Sequence, residues 1–205
     1  MSKKLIIVFE GIEGTGKSHH IKNVAKYLKK KNIKFIQIRE PGGSENSEKI
    51  RKLILNNKSS FNRNTDLLLY LSARSENIEL IKKNIDKKII LIDRFSDSTI
   101  AYQHYGMGVD LKFINNINQF LLKNIDIDFT FLNTVSPKNM KSRLIKRKIL
   151  NRYDKFNNNF YDKVQKGFIK ILKRNPKKYM KIDSNMSIEY NENIILNKIN
   201  DLIHS

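Results

Sequence analysis

Leu5-Ile6-Ile7-Val8-Phe9-Glu10-Gly11-Ile12-Glu13-Gly14-Thr15-Gly16-Lys17-Ser18 sets an unbroken apolar run directly against a glycine-rich loop that closes on Lys-Ser. The run Leu5–Phe9 has the length and continuous apolarity of a strand buried on both faces of a parallel sheet. Gly11 to Ser18 then matches the spacing of a phosphate-binding loop: two glycines flanking four residues, followed by Lys and Ser. Glycines let successive backbone N–H groups turn inward toward a phosphate, where a Cβ would obstruct them. A helix opening at that point offers its N-terminus to the anion. Lys17 reaches the β- and γ-phosphates as a point charge, and Ser18 supplies a hard oxygen ligand for Mg2+. Gly11, Ile12, Glu13, Gly14, Thr15, Gly16, Lys17 and Ser18 together are therefore a candidate cradle for the phosphates of ATP.

Outward from this loop, short apolar runs recur at Phe35–Ile38, Ile89–Ile92, Phe129–Leu132 and Tyr179–Ile182. The segments between them are long enough for helices. Ile21, Val24, Ala25 and Leu28 give one apolar face at helical spacing, and Ile50, Leu53 and Ile54 give another. Strands alternating with helices predict an α/β fold of the P-loop type, with a five-stranded parallel sheet and helices on both faces. No internal repeat or Pro/Gly/Ser-rich linker breaks the chain, so residues 1–205 read as one domain. Ile188 to Ile203 has the pattern of a packing helix. Ile89-Ile90-Leu91-Ile92-Asp93 places a carboxylate at a strand end, where it can serve the metal together with Ser18. Arg94 follows at once, with a fork suited to clamping a phosphate.

The formal net charge of +20 attracts polyanions, but the 31 lysines lie along the whole chain rather than on one arm, which argues against a dedicated nucleic-acid surface. No cysteine is present, which excludes disulfides and thiolate metal sites. No apolar window approaches a membrane span, and the start lacks the apolar core of a secretion signal, so a cytoplasmic protein is expected. One stretch is densely basic: Arg143, Lys146, Arg147, Lys148, Arg152 and Lys155. It reads either as a solvated helix end or as a short basic lid over about residues 143–155.

Five motifs in order resemble the thymidylate kinases, particularly their bacterial branch. They are Phe9 to Ser18; Arg39-Glu40-Pro41-Gly42-Gly43; Leu68-Leu69-Tyr70-Leu71-Ser72-Ala73-Arg74; Asp93-Arg94-Phe95 continuing as Asp97-Ser98-Thr99-Ile100-Ala101-Tyr102-Gln103; and Asn151-Arg152-Tyr153-Asp154. The resemblance implies transfer of the γ-phosphate of ATP to dTMP, with Mg2+, by a homodimer without a nucleic-acid or membrane partner. It places Glu13 near the 3′-hydroxyl, Tyr70 stacked on thymine, and Arg74 and Arg94 on the acceptor monophosphate. It puts Thr99 and Gln103 at the base edge, Tyr102 below the sugar, and Arg39 in the pocket wall. Lys17, Arg94, Arg147 and Arg152 become the catalytic cations, the last two closing from the lid over the ATP phosphates.

From the residues alone, Tyr70 and Tyr102 also read as core aromatics, and Arg74 as a surface helix charge within reach of Glu76 and Glu79. The chain departs from the family pattern at Tyr70, at His104, at Asn151, at Asn133-Thr134 and at His19-His20, a pair read as incidental. Two other functions fit parts of the pattern: a kinase for a different nucleoside monophosphate, and a basic nucleic-acid-binding relative without turnover.

Overall fold

The computed structural model describes residues 4–146 and 151–204. All five expected strands form: β1 Ile6–Glu10, β2 Phe35–Arg39, β3 Ile89–Asp93, β4 Phe129–Thr134 and β5 Tyr179–Asp183. They make one sheet in the order β2-β3-β1-β4-β5, and every pairing is parallel. β1 lies at the centre, buried along its whole length.

Alternation along β1 explains the two-sided core. Ile7 and Phe9 face α1 (Lys17–Lys30) and α8 (Ile188–His204), joining Ile21, Val24, Leu28, Ile195 and Ile199. Ile6 and Val8 face the other way, toward Ile78 and Ile81 of α3 (Arg63–Asn84). Successive strand side chains point to opposite faces, so a strand covered on both sides must be apolar at every position.

The remaining helices are α2 Glu45–Leu55, α4 Ser96–Thr99, α5 Leu111–Leu121, α6 Pro137–Ile145 and α7 Asn158–Arg174. A π-helical stretch, Ile100–Gly106, continues α4. Their starts follow capping chemistry: Ser44, Asn62, Asp110, Ser136 and Asn157 each accept a hydrogen bond from a first-turn N–H. Two helices lack a side-chain cap: the four-residue α4, and α1. Gly16 stands at its N-cap with φ +83, and no side chain caps it. Its first N–H groups are thereby left for an anion.

One expectation needs correction. Leu53 does not join the core face of α2; it is exposed, while Ile54 is buried and Ile50 and Leu55 are half-buried. An 11-residue helix that packs chiefly on α3 buries a narrower stripe than its spacing suggested. Only part of the basic run lies among the described residues. Arg143 belongs to the last turn of α6, Arg152–Lys155 forms a 3-10 turn capped by Asn151, and Arg147 lies outside the described residues.

Candidate functional site

β1 delivers the loop and β3 delivers its partners. Gly11 leaves β1 with φ +131, and a Cβ there would stand 2.1 Å from the carbonyl oxygen of Asn133. Only glycine fits this crossing of β1 and β4. Lys17, nearly buried, folds back over the loop: its Nζ donates to Gly11 O and Ile12 O at 2.8 Å each and to Thr15 Oγ1 at 3.3 Å. Burial foremost, then the nearby Arg94, pushes the Lys17 pKa down to about 7.

Ser18 Oγ donates to Asp93 Oδ2 at 3.1 Å. Two hard oxygens so placed, one neutral and one anionic, fit Mg2+, which takes few protein ligands and completes its shell with phosphate oxygens and water. The sequence-predicted metal pair is thus brought together.

Arg94 adopts the left-handed conformation, φ +66. Its N–H donates to Phe9 O at 3.0 Å, which ties the residue to β1. The side chain donates to Glu13 Oε1 and to Gly11 O at 2.8 Å each, and it lies over the Tyr102 ring at 5.1 Å. Tyr102 Oη donates to the other Glu13 oxygen at 2.5 Å. Burial is the strongest influence on Glu13 and acts upward, but Arg94, Lys17 and Tyr102 outweigh it and hold the carboxyl below its usual range. The loop and the cavity beside it therefore share one wall, Glu13-Arg94-Tyr102.

Glu10 supports that wall from behind. It is fully buried and accepts from Phe95 N at 2.8 Å, Ser98 N at 3.2 Å and Ser98 Oγ at 2.6 Å. Burial, then the adjacent Asp97, pushes its pKa up to about 8. Asp97 itself accepts from Tyr179 Oη at 2.6 Å, and burial raises it too.

The wall opens on a cavity of about 210 Å3 that also reaches Lys17, Ser18 and Asp93. Arg39, Glu40, Tyr70 and Gln103 also line it. Arg39 grips Glu48 through Nε and Nη2, one edge of its guanidinium, at 2.9 to 3.1 Å. Tyr70 meets Tyr153 edge to face at 5.9 Å.

Other expected residues lie elsewhere. Arg74 is neither a surface charge nor part of the cavity wall. It is 1% exposed, bonded to Glu40 at 2.8 and 2.9 Å and to Asn118 Oδ1 at 3.0 Å, and it lies over the Phe95 ring. A buried guanidinium requires a carboxylate beside it, and Glu40 meets that requirement. Burial raises the Glu40 pKa, with Arg74 pulling against it. Thr99 is buried off the wall.

Arg152 does not extend over the phosphate loop. Its guanidinium bonds to buried Asp66 and to Ile54 O, the latter at 3.1 Å, on the acceptor side. The arginine that does reach the loop is Arg143, donating to Gly14 O at 2.9 Å and to Ser184 O at 2.7 Å. Arg51 was missed as well. It lines the cavity and donates to Pro41 O at 2.6 Å; its place beside Ile50 and Ile54 on α2 was the available signal.

A second cavity of about 200 Å3 lies on the other side of the loop. Gly14, Gly16, His20, Arg143, Ser184, Met186 and Ile188 are among its walls. His20 Nδ1 and Ser184 Oγ are buried without hydrogen-bond partners among the described residues. His19 lines the same cavity and also meets Glu192 at 2.6 Å.

A family model described as thymidylate kinase matches residues 9–195. This chain belongs to the thymidylate kinase family. The thymidylate kinase of Mycoplasma capricolum is 37% identical over 206 residues, covering 96% of this chain and 97% of the relative. That of Kosmotoga olearia is 33% identical over 190 residues, covering 90% of each. A crystal structure of thymidylate kinase from Ehrlichia chaffeensis superposes with a TM-score of 0.77 at 30% identity, covering 96% of this chain and 98% of that one.

Within a thymidylate kinase framework, the departures have local accounts. His104 Nδ1 lies 2.8 Å from Val109 O and closes the end of the π-helical stretch. Asn151 forms a capping box with Asp154 at the 3-10 turn. Asn133 directs its Nδ2 at Glu10 O and Phe131 O, 3.4 Å each, between the central strands. No helix among the described residues is long and apolar enough to cross a membrane.

Proposed function

We propose that this protein transfers the γ-phosphate of ATP to dTMP, giving dTDP and ADP. The observation that carries the reading is the shared wall: Arg94 bonds to Glu13 of the loop and faces the acceptor cavity beside Tyr70 and Gln103. A donor phosphate in the loop and an acceptor phosphate at Arg94 lie on either side of one guanidinium. Phosphoryl transfer needs positioning and charge neutralisation more than a base, because the acceptor phosphate is already nucleophilic.

The loop amides and the uncapped start of α1 hold the donor phosphates. Lys17 exchanges its bonds to Gly11 and Ile12 for phosphate oxygens. Ser18 and Asp93 would hold Mg2+, which would supply charge neutralisation for the phosphoryl transfer. Arg94 and Arg51 hold the acceptor phosphate, and Glu40 sets Arg74 behind them. Tyr70 supplies a stacking face for the base, and Tyr102 fills the space below the sugar. The cavity bounded by Arg143, His20 and Ser184 takes the donor base. Arg147, adjoining the loop-contacting helix in sequence, supplies a further cation from the lid. The protein acts as a homodimer in the cytoplasm, a reading supported by exposed Leu68 on α3 and Phe113 and Phe120 on the adjoining α5.

A coupled ADP-release assay with ATP, Mg2+ and a panel of nucleoside monophosphates tests the proposal, run beside Arg94→Ala. Preferred turnover of dTMP and its loss in the variant are expected. No stimulation by any monophosphate refutes the kinase reading, and preference for another monophosphate refutes the substrate.

A further inference from the structure

Gln103 lines the acceptor cavity, yet its amide is not free to turn. Its Nε2 donates to Asp66 Oδ2 at 3.1 Å and lies 3.5 Å from Tyr153 Oη. Asp66 stands in the first turn of α3 and is 1% exposed. The same carboxylate accepts from Tyr153 Oη at 2.5 Å and from the Arg152 guanidinium. An ionised carboxylate only accepts hydrogen bonds, so whatever Gln103 turns toward Asp66 must be its NH2 end. The amide carbonyl is what remains for the cavity, and Oε1 takes no hydrogen bond among the described residues. We infer that Asp66 is a positioning residue that fixes the polarity of Gln103, so that the acceptor cavity selects a pyrimidine carrying N3–H over a 4-aminopyrimidine.

The inference rests on the acceptor reading above and adds the basis of its base selectivity. Thymine and uracil present N3–H as a donor, which meets Oε1. Cytosine presents a lone pair at N3, which faces Oε1 acceptor to acceptor. Leaving a buried acceptor unmatched costs roughly 5- to 150-fold in affinity. Arg152 and Tyr153 strengthen the constraint, because with Oδ1 and Oδ2 both engaged Asp66 has no alternative partner to turn toward. Gln103 is therefore the residue at the base edge, and Asp66 acts on the base through it.

The test is the ratio of kcat/KM for dTMP to that for dCMP in the full-length protein, measured for wild type, Asp66→Asn and Asp66→Glu. An asparagine offers both a donor and an acceptor, so Gln103 can reverse. The ratio should fall at least about tenfold, with KM for ATP unchanged within about twofold. Asp66→Glu keeps an acceptor-only group and should keep the ratio within about threefold of wild type. A purely structural role for Asp66 would lower both substrates together and leave the ratio unmoved, which overturns the inference. Should Asp66→Asn fail to fold, equilibrium binding of N3-methyl-dTMP to the wild type decides: binding within about threefold of dTMP overturns the inference, and weakening of tenfold or more upholds it. A wild type that turns over no dTMP instead refutes the proposed activity.

Discussion

Glu10→Gln offers a test of the buried support behind Arg94 that needs no substrate. Glu10 moves from its ordinary value of 4.5 to about 8 on folding. Between those two pH values the folded protein holds a proton that the unfolded chain releases, so this group makes stability fall as pH rises. From about pH 6 to about pH 9, the linkage amounts to about 3 kcal/mol from this carboxyl alone. For a chain of this size that corresponds to roughly 6–12 °C in Tm. Glutamine reproduces the protonated form: its oxygen accepts from Phe95 N and Ser98 N, and its NH2 donates to Ser98 Oγ. Lys17 acts with the opposite sign, since a lysine lowered to about 7 makes stability rise with pH above that value. Groups that do not sense Glu10 cancel when wild type and variant are compared at the same pH, and Asp97, which repels Glu10, is relieved in the variant and moves the gap in the same direction. The assay is thermal unfolding of both proteins at about pH 6 and about pH 9. The gap between them should open in favour of the variant by several degrees at the higher pH. Parallel curves would refute the argument, because they would mean that Glu10 stays ionised inside the fold.

Gly11→Ala should be among the most damaging single changes. The added methyl meets Asn133 O at 2.1 Å in a conformation closed to L side chains, and the loss should reach at least about 3 kcal/mol in denaturant unfolding. Asp93→Asn should leave the melting temperature nearly unchanged while raising the Mg2+ concentration for half-maximal turnover by roughly 10–100-fold, read from a magnesium titration after EDTA treatment.

β1, β3 and β4 were legible in the sequence because each is covered on two faces, which forces continuous apolarity at lengths a helix does not share, and the edge strands β2 and β5 were legible as short apolar runs broken by one polar residue, Gln37 and Lys181. The loop was legible for a related reason: glycine spacing, lysine and serine all act within one turn of backbone. The failures have a common physical origin. Arg74, Arg143 and Arg152 carry long side chains whose direction depends on carboxylates and carbonyls far off in sequence: Glu40, Gly14 and Asp66. Helical spacing fixes where such a residue leaves the backbone and says nothing of which partner it meets. Leu53 failed differently, since a short helix at the edge of the core has room to bury only some of the apolar positions that its period allows.

The arginines also bear on how this protein carries its charge. The chain has 31 lysines and nine arginines. Seven of the arginines, at positions 39, 51, 63, 74, 94, 143 and 152, hydrogen-bond carboxylate or carbonyl oxygens. A lysine can match the charge at those positions but not the planar, several-pronged donor set. Overall basicity and local recognition are thus written in two different residue types. A chemist could replace exposed lysines by glutamine or glutamate to bring the isoelectric point toward neutrality, improving crystallisation or lowering adhesion to polyanions, while every guanidinium that organises the site stays where it is.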